Sequence, residues 1–425
     1  ITLSGTTGTA RTSNLLLSTG TITASSNITS AGVASSIVFS GSGIINVGGS
    51  FLTTAATFTA STGTVNYNGT TQTIGLYTYY NLTLSGSGTK TFPTGATTVN
   101  GVLSIENGTS TNTFTGTISY GTGATLQYNA GASNRTVSNE WPATFLGSGG
   151  VLIKGTGIIT LNAAKVLGTN TSVPLNITSG AKLATGNFGL TFHGDFINSG
   201  TFTGGSSAII LTGTTTTQNI GTFTTTGALS MTKTSGTATV TGNISAAALT
   251  INGTAGTLHL GSNLTHSFSG NVTLTSGTLN GGVLSTINAN SSTTSAWNGT
   301  GTVFVPGTST VVFGGTAQTI GVTNPSFYNV SFSGTTANKT ISNVLTVDNN
   351  INIISSAVVL LPNGTTSTTK VLQYGGVSQA GGSYGGSTSA AANKTATYFG
   401  STTTGILNSS TAQRFIISGT ATQTA

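Results

Sequence analysis

Thr64-Val65-Asn66-Tyr67-Asn68-Gly69-Thr70-Thr71-Gln72-Thr73-Ile74-Gly75 returns 246 residues later as Thr310-Val311-Val312-Phe313-Gly314-Gly315-Thr316-Ala317-Gln318-Thr319-Ile320-Gly321. Each copy opens on alternating polar and apolar residues and then reaches glycine, the pattern of a short half-buried strand followed by a turn. The likeness runs on downstream. Tyr80-Asn81-Leu82-Thr83-Leu84-Ser85-Gly86 matches Tyr328-Asn329-Val330-Ser331-Phe332-Ser333-Gly334, Lys90-Thr91 matches Lys339-Thr340, and Thr98-Val99-Asn100 parallels Thr346-Val347-Asp348. A looser copy spans Ala208 to Gly221 and ends in Gln218-Asn219-Ile220-Gly221. The repeat is therefore nested and imperfect.

Outside these blocks the same rhythm continues, as in Asn271-Val272-Thr273-Leu274-Thr275. Helix signals are nearly absent: Thr, Val and Ile lose rotamer freedom in helices and glycine costs about 1 kcal/mol there. One coil of two or three short strands cannot bury its inner face alone, but coils stacked at ~4.8 Å share one core. The sequence predicts an all-β parallel β-solenoid (β-helix) rod over residues 1–410. With ~20 residues per coil it would make about twenty coils and extend roughly 100 Å. Tandem β-sandwiches are the alternative, since turns every 8–12 residues suit them too.

Composition narrows the function classes. Only 4% of the 425 residues are charged, while 36% are hydrophobic and 62 are glycine. The regular spacing of the apolar residues argues for an ordered repetitive fold against disorder. The formal charge is +7 because acids are nearly missing: Glu106, Glu140, Asp195 and Asp348 are all there are. The basic residues, scattered from Arg11 to Arg414, form no cluster of the kind a nucleic-acid partner requires. There is no cysteine, hence no thiolate site, and no apolar run approaches the ~20 residues of a transmembrane helix. A start at Ile1 fits a processed or excised segment of a longer precursor.

The Gly-Thr-x-Gln-Thr-Ile-Gly blocks and Tyr80 to Thr91 resemble the β-strand-repeat regions of very large secreted bacterial surface proteins. The likeness covers most of residues 30–360 and lies in composition and rhythm; it implies a parallel β-helix on an adhesin or surface fibre. Gln373-Tyr374-Gly375-Gly376, Gly381 to Gly385, Tyr398-Phe399-Gly400 and Gly405 to Asn408 resemble the closing segment of such a region. Residues 411–425, from Arg414-Phe415-Ile416-Ile417-Ser418 onward, are similar to the first strand of a bacterial immunoglobulin-like repeat, here without partners.

Chemistry has few candidates. A glycoside hydrolase needs two carboxylates about 5–9.5 Å apart, and no repeat places two of the four acids in register. His193-Gly194-Asp195 puts two polar groups on one strand face but offers no third ligand. Thr-x-Thr tracts such as Thr89-Lys90-Thr91 and Thr237 to Thr241 lack the fixed period an ice-binding face requires. Tyr77, Tyr79 and Tyr80 are the candidates for glycan contact, with a core role as the competing reading. Phe51, Phe58, Phe196, Phe202, Phe304 and Phe313 are expected in the core. Asn-x-Ser/Thr sequons, among them Asn81 and Asn329, follow from a hydroxyl-rich composition.

The function expected is a secreted, extracellular structural subunit of a surface filament, or an adhesin stalk, with neither enzyme activity nor cofactor. Solenoid ends are unpaired strand edges, so self-assembly head to tail into a homopolymer is expected. Phe415, Ile416, Ile417 and Ser418 form the candidate donor strand, with Ile1, Thr2, Leu3 and Ser4 as the second. A monomeric stalk that binds surface glycans is the alternative; a polysaccharide-degrading enzyme or ice-binding protein is the more distant one.

Overall fold

A computed structural model describes residues 1–3, 13–30, 35–52, 56–106, 109–114, 116–293, 295–299, 303–323, 325–334, 338–354 and 356–410. Every element among them is a β-strand, and the strands stack in parallel as a β-solenoid of about 16 turns. The chain divides into two compact units, Ile1–Gly242 and Asn243–Ala425.

One face of the first unit is continuous. Its strands carry the partners Ile22, Ile45, Val65, Leu82, Leu103, Leu126, Val151, Leu175, Phe196, Ile220 and Val240, each paired in parallel with the next. From Ile45 onward every member of this column is buried. Parallel pairing on this scale rules out a β-sandwich, whose strands run antiparallel. From Val65 to Leu175 the steps take 17 to 25 residues. Many steps exceed the ~20 residues expected, so the turns number about 16 rather than about twenty.

The other two faces are interrupted. One runs through Ser13–Leu17, Ser35–Phe39 and Thr57–Thr59, restarts at Thr78–Tyr79, Ala96–Val99 and Thr117–Tyr120, and restarts again at Thr144–Phe145. At the first break, Phe51, Phe58, Tyr67, Tyr77 and Tyr79 pack together, mostly edge to face with two tilted pairs, at ring centroids 5.2 to 6.5 Å apart. Large rings fill the space that ladder strands leave, because a void there would forfeit contacts outright.

Alternation is visible in Thr64–Tyr67 and Asn81–Leu84, both of which read half-buried, buried, half-buried, buried. The half-buried positions stack as amides and hydroxyls: Asn66 Nδ2 donates to Asn46 Oδ1 at 2.9 Å, and Ser85 Oγ donates to Asn66 Oδ1 at 2.7 Å. Glycine permits the corners to stack. A Cβ on Gly69 would lie 1.9 Å from Gly48 O, and one on Gly315 would lie 2.0 Å from Ser291 O.

The second unit repeats this plan. Thr310–Phe313 pairs with Asn329 to Phe332 in the register by which Thr64–Tyr67 pairs with Asn81–Leu84. The sequence repeat is thus one two-turn module used in both units. Its last solenoid strand, Thr366–Tyr374, folds back through Gly375 and Gly376 (φ 57° and 84°) onto Val377–Ser378 in a hairpin, a turn that needs positive φ at both positions. Ile406–Ser409 pairs with Thr366 to Thr369 in parallel, and Gly382–Gly385 then pairs with Ile406–Ser409 antiparallel. Antiparallel strands therefore close this edge as a cap within residues 375–410.

Replacing Leu103 by Ala removes a side chain with no accessible surface from the middle of the column. The expected loss is about 2–5 kcal/mol, read by urea denaturation. Thr83→Ala, on the half-buried side of a neighbouring strand, should stay within about 0.5 kcal/mol.

Candidate functional site

The repeat motif's polar residues turn inward. Gln72 is buried, and its Nε2 donates to Val47 O (2.8 Å) and Gly49 O (2.7 Å) while Oε1 accepts from Gly69 N (2.8 Å). Lys90 stacks on it in the next turn with no accessible surface. Its Nζ donates to Gly69 O (2.6 Å), Thr70 O (3.0 Å) and Ser87 O (3.3 Å). The second unit repeats the arrangement: Gln318 Nε2 donates to Ala289 O (2.7 Å), and Lys339, paired with Gln318, donates to Gly315 O and Gln318 Oε1.

The physical reason is the corner. Carbonyls turned inward there cannot reach the next rung, and an unpaired buried carbonyl is costly. A long side chain with several donors satisfies two or three at once. The looser copy keeps only half of the device. Gln218 Nε2 donates to Phe192 O (3.1 Å) and Gly194 O (2.7 Å), but Ala238 sits opposite it. Lys233 is buried nearby and donates to Thr215 Oγ1 (3.1 Å).

At the second break of the interrupted face, Glu140 is buried with no accessible surface. Its carboxylate accepts from Tyr128 OH (3.2 Å) and Ser138 N (2.9 Å), and its carbonyl accepts from Tyr120 OH (2.5 Å). Burial raises its pKa, and Arg135 opposes that shift. Lys165, also buried, donates to Trp141 O at 2.5 Å, while the Trp141 indole N–H has no partner among the described residues.

The residues singled out in the sequence are dispersed. His193 Nδ1 accepts from Asn170 N (3.0 Å) in the turn before, and Asp195 Oδ1 accepts from Asn219 N (2.8 Å) in the turn after. They staple opposite neighbours instead of sharing a site. Tyr79 has no accessible surface and bonds Tyr67 OH and Gly75 O, so it belongs to the core. Tyr77 is half-buried and donates to Leu52 O; only Tyr80 of the three is exposed. Phe51, Phe196 and Phe313 are buried, whereas Phe58, Phe202 and Phe304 are half-buried. Thr2–Leu3 pairs with Thr29–Ser30, and the Ile1 amino group donates to Asn27 O. Ser4 and the donor candidate Phe415, Ile416, Ile417 and Ser418 lie outside the described residues.

Among the described residues no three His, Asp or Glu side chains gather as metal ligands, and no helix is long and apolar enough to cross a membrane. His266, which the sequence did not single out, is buried: Nδ1 accepts from Ile244 N (3.3 Å), so Nε2 donates to Leu260 O (2.9 Å). Comparison with family models, with curated proteins and with solved structures finds no match.

Two outcomes follow. Burial lowers the Lys90 and Lys339 ammonium pKa from 10.5 to about 8. Above pH 8 the unfolded chain holds more protons than the folded one, so stability should climb with pH from about 8 toward 10. Past 10 the climb should reverse, because burial holds the Tyr67 and Tyr79 pKa values above the usual 10.0. Urea midpoints across this range test it, and Lys90→Met with Lys339→Met should flatten the rise; a rise unchanged in that variant contradicts the assignment. Separately, burial lowers the His266 pKa below 6.5. Nitrogen NMR at pH 6.5 should show a neutral Nε2–H imidazole there, and a charged ring would refute the bonding scheme.

Proposed function

We propose that this chain is extracellular structural material: a solenoid stalk or fibre element of a cell surface that performs no reaction. The observation that carries the reading is where the reactive side-chain types go. Gln72, Lys90, His193, Asp195, Gln318 and Lys339 each bond the backbone of a neighbouring turn. Glu106 bonds side chains of its own and the next turn, accepting from Ser104 Oγ and Asn129 Nδ2. Chemistry that an enzyme would hold open in a cleft is spent here on holding turns together. The family resemblance of the Gln-Thr-Ile-Gly blocks implies the same class of protein.

End-to-end stacking on the second unit would need the edge of Thr366–Tyr374, and Val377–Ser378 and Ile406–Ser409 already pair with it. Capping of this kind is how repeat proteins stay soluble. We therefore favour a stalk that does not polymerise through this end. Strand donation by Phe415 to Ser418 is the competing route to a homopolymer.

Light scattering and negative-stain images of the full chain decide between them. A stalk gives one monomeric species, unchanged when residues 411–425 are removed, and aggregates when residues 375–410 are removed as well. Filaments that vanish on removing 411–425 alone would replace the stalk with a donor-strand fibre. Sugar products released from pectin or alginate would overturn the structural reading altogether.

A further inference from the structure

The cap does more geometrically than cover an edge. Its hairpin and the strands Gly382–Gly385 and Asn393–Lys394 border an open groove of about 580 Å³ lined by Tyr374, Gln379, Tyr384, Asn393, Lys394 and Thr395. That volume falls within the ~300–1,000 Å³ typical of small-ligand sites.

Its walls are of two kinds. The first is aromatic. Tyr374 stacks on Tyr398 at 3.9 Å with the rings 2° from parallel, and Tyr384 meets Tyr374 edge-on at 6.4 Å. Tyr384 is nearly buried, and its hydroxyl donates to Ala380 O (2.5 Å), which fixes the ring. The Tyr374 hydroxyl itself is buried and has no hydrogen-bond partner among the described residues. The second wall is polar. Gln379 Nε2 is held by Val377 O (2.8 Å) and Asn393 Nδ2 by Ser383 O (3.2 Å). Among the described residues both amide oxygens are left without donors. Lys394 is exposed and makes no ion pair with a described residue; Asp348, the only acid of the second unit, does not line the groove.

Aromatic rings held rigid beside fixed amide acceptors suit a pyranose, which presents C–H faces to rings and hydroxyls to amides. An uncompensated ammonium at the rim adds a preference for an anionic substituent. We propose that the C-terminal cap is a binding site for an acidic saccharide, a sugar chain bearing carboxylates, with Lys394 on the carboxylate and Gln379 and Asn393 on the hydroxyls. This goes beyond the stalk reading and stands on different residues: a stalk without a sugar site and a sugar site on a polymer are both separately observable. It also moves glycan contact away from Tyr77, Tyr79 and Tyr80.

The test is titration calorimetry of the full chain with a tetramer of galacturonic acid and, in parallel, a tetramer of galactose. The acidic tetramer should bind with a micromolar to millimolar Kd, and the neutral one at least about tenfold more weakly, a difference of about 1.4 kcal/mol. Lys394→Ala, at an exposed position, should abolish that preference; Gln379→Ala should weaken both tetramers; Lys182→Ala, exposed in the first unit, should change neither. Melting curves confirm that each variant folds. No heat from either tetramer overturns the site, equal binding of both with no effect of Lys394→Ala overturns its acidic specificity, and an equal loss in Lys182→Ala shows general attraction to the basic chain and overturns it too.

Discussion

Turn-to-turn backbone hydrogen bonding along one unbroken face is what the first unit depends on. Three faces coil together, yet two of them are interrupted. Among the described residues only the column from Ile45 to Val240 runs through with a buried apolar residue at every step. Each buried aliphatic side chain contributes about 1.5–3 kcal/mol, and the ladder satisfies the backbone groups that such burial would otherwise strand. The interruptions are tolerable because this face keeps the register, and a register slip of one residue would turn the column outward.

The corners set the second requirement, and they explain the repeat. A coil that turns three times per circuit points some carbonyls inward, where neither water nor the next rung reaches them. Gln72 with Lys90, and Gln318 with Lys339, answer this in the same register in two places. That is why a Gln and a Lys recur as rung partners, 18 residues apart in the first copy and 21 in the second, in a chain otherwise almost free of charge. The cost is a lysine pushed toward neutrality, which a solenoid with few acids has no carboxylate to offset.

Much of the fold was legible. The period-2 runs at Thr64 and Asn81 became strands in register, and the blocks 246 residues apart became the same module. Less legible was what the polar residues do. Lysine is expected at a surface, so nothing marks Lys90 and Lys339 as inward-facing, although the recurrence of Lys-Thr downstream of both Gln-Thr-Ile-Gly blocks is the available signal. Tyr79 shares an alternating run with Tyr77, but alternation alone does not say which face is inner. Glu140 gave no signal, since it lies in a turn; His266 shares the buried face of Thr265–Phe268 with Phe268, a period-2 placement that its polar side chain disguises. The division at Gly242 has no composition change to mark it. The cap's antiparallel pairing needs Gly375 and Gly376 to be seen as a hairpin.

Amide hydrogen exchange followed by mass spectrometry addresses the central claim most directly. The account requires slow exchange across every first-face strand from Ile44–Val47 to Thr237–Val240, unbroken where the other faces stop near residues 60–77 and 121–143. Rapid exchange of Thr64–Tyr67 and Thr125–Asn129, leaving protected blocks on either side, would mean that the face does not hold the unit together.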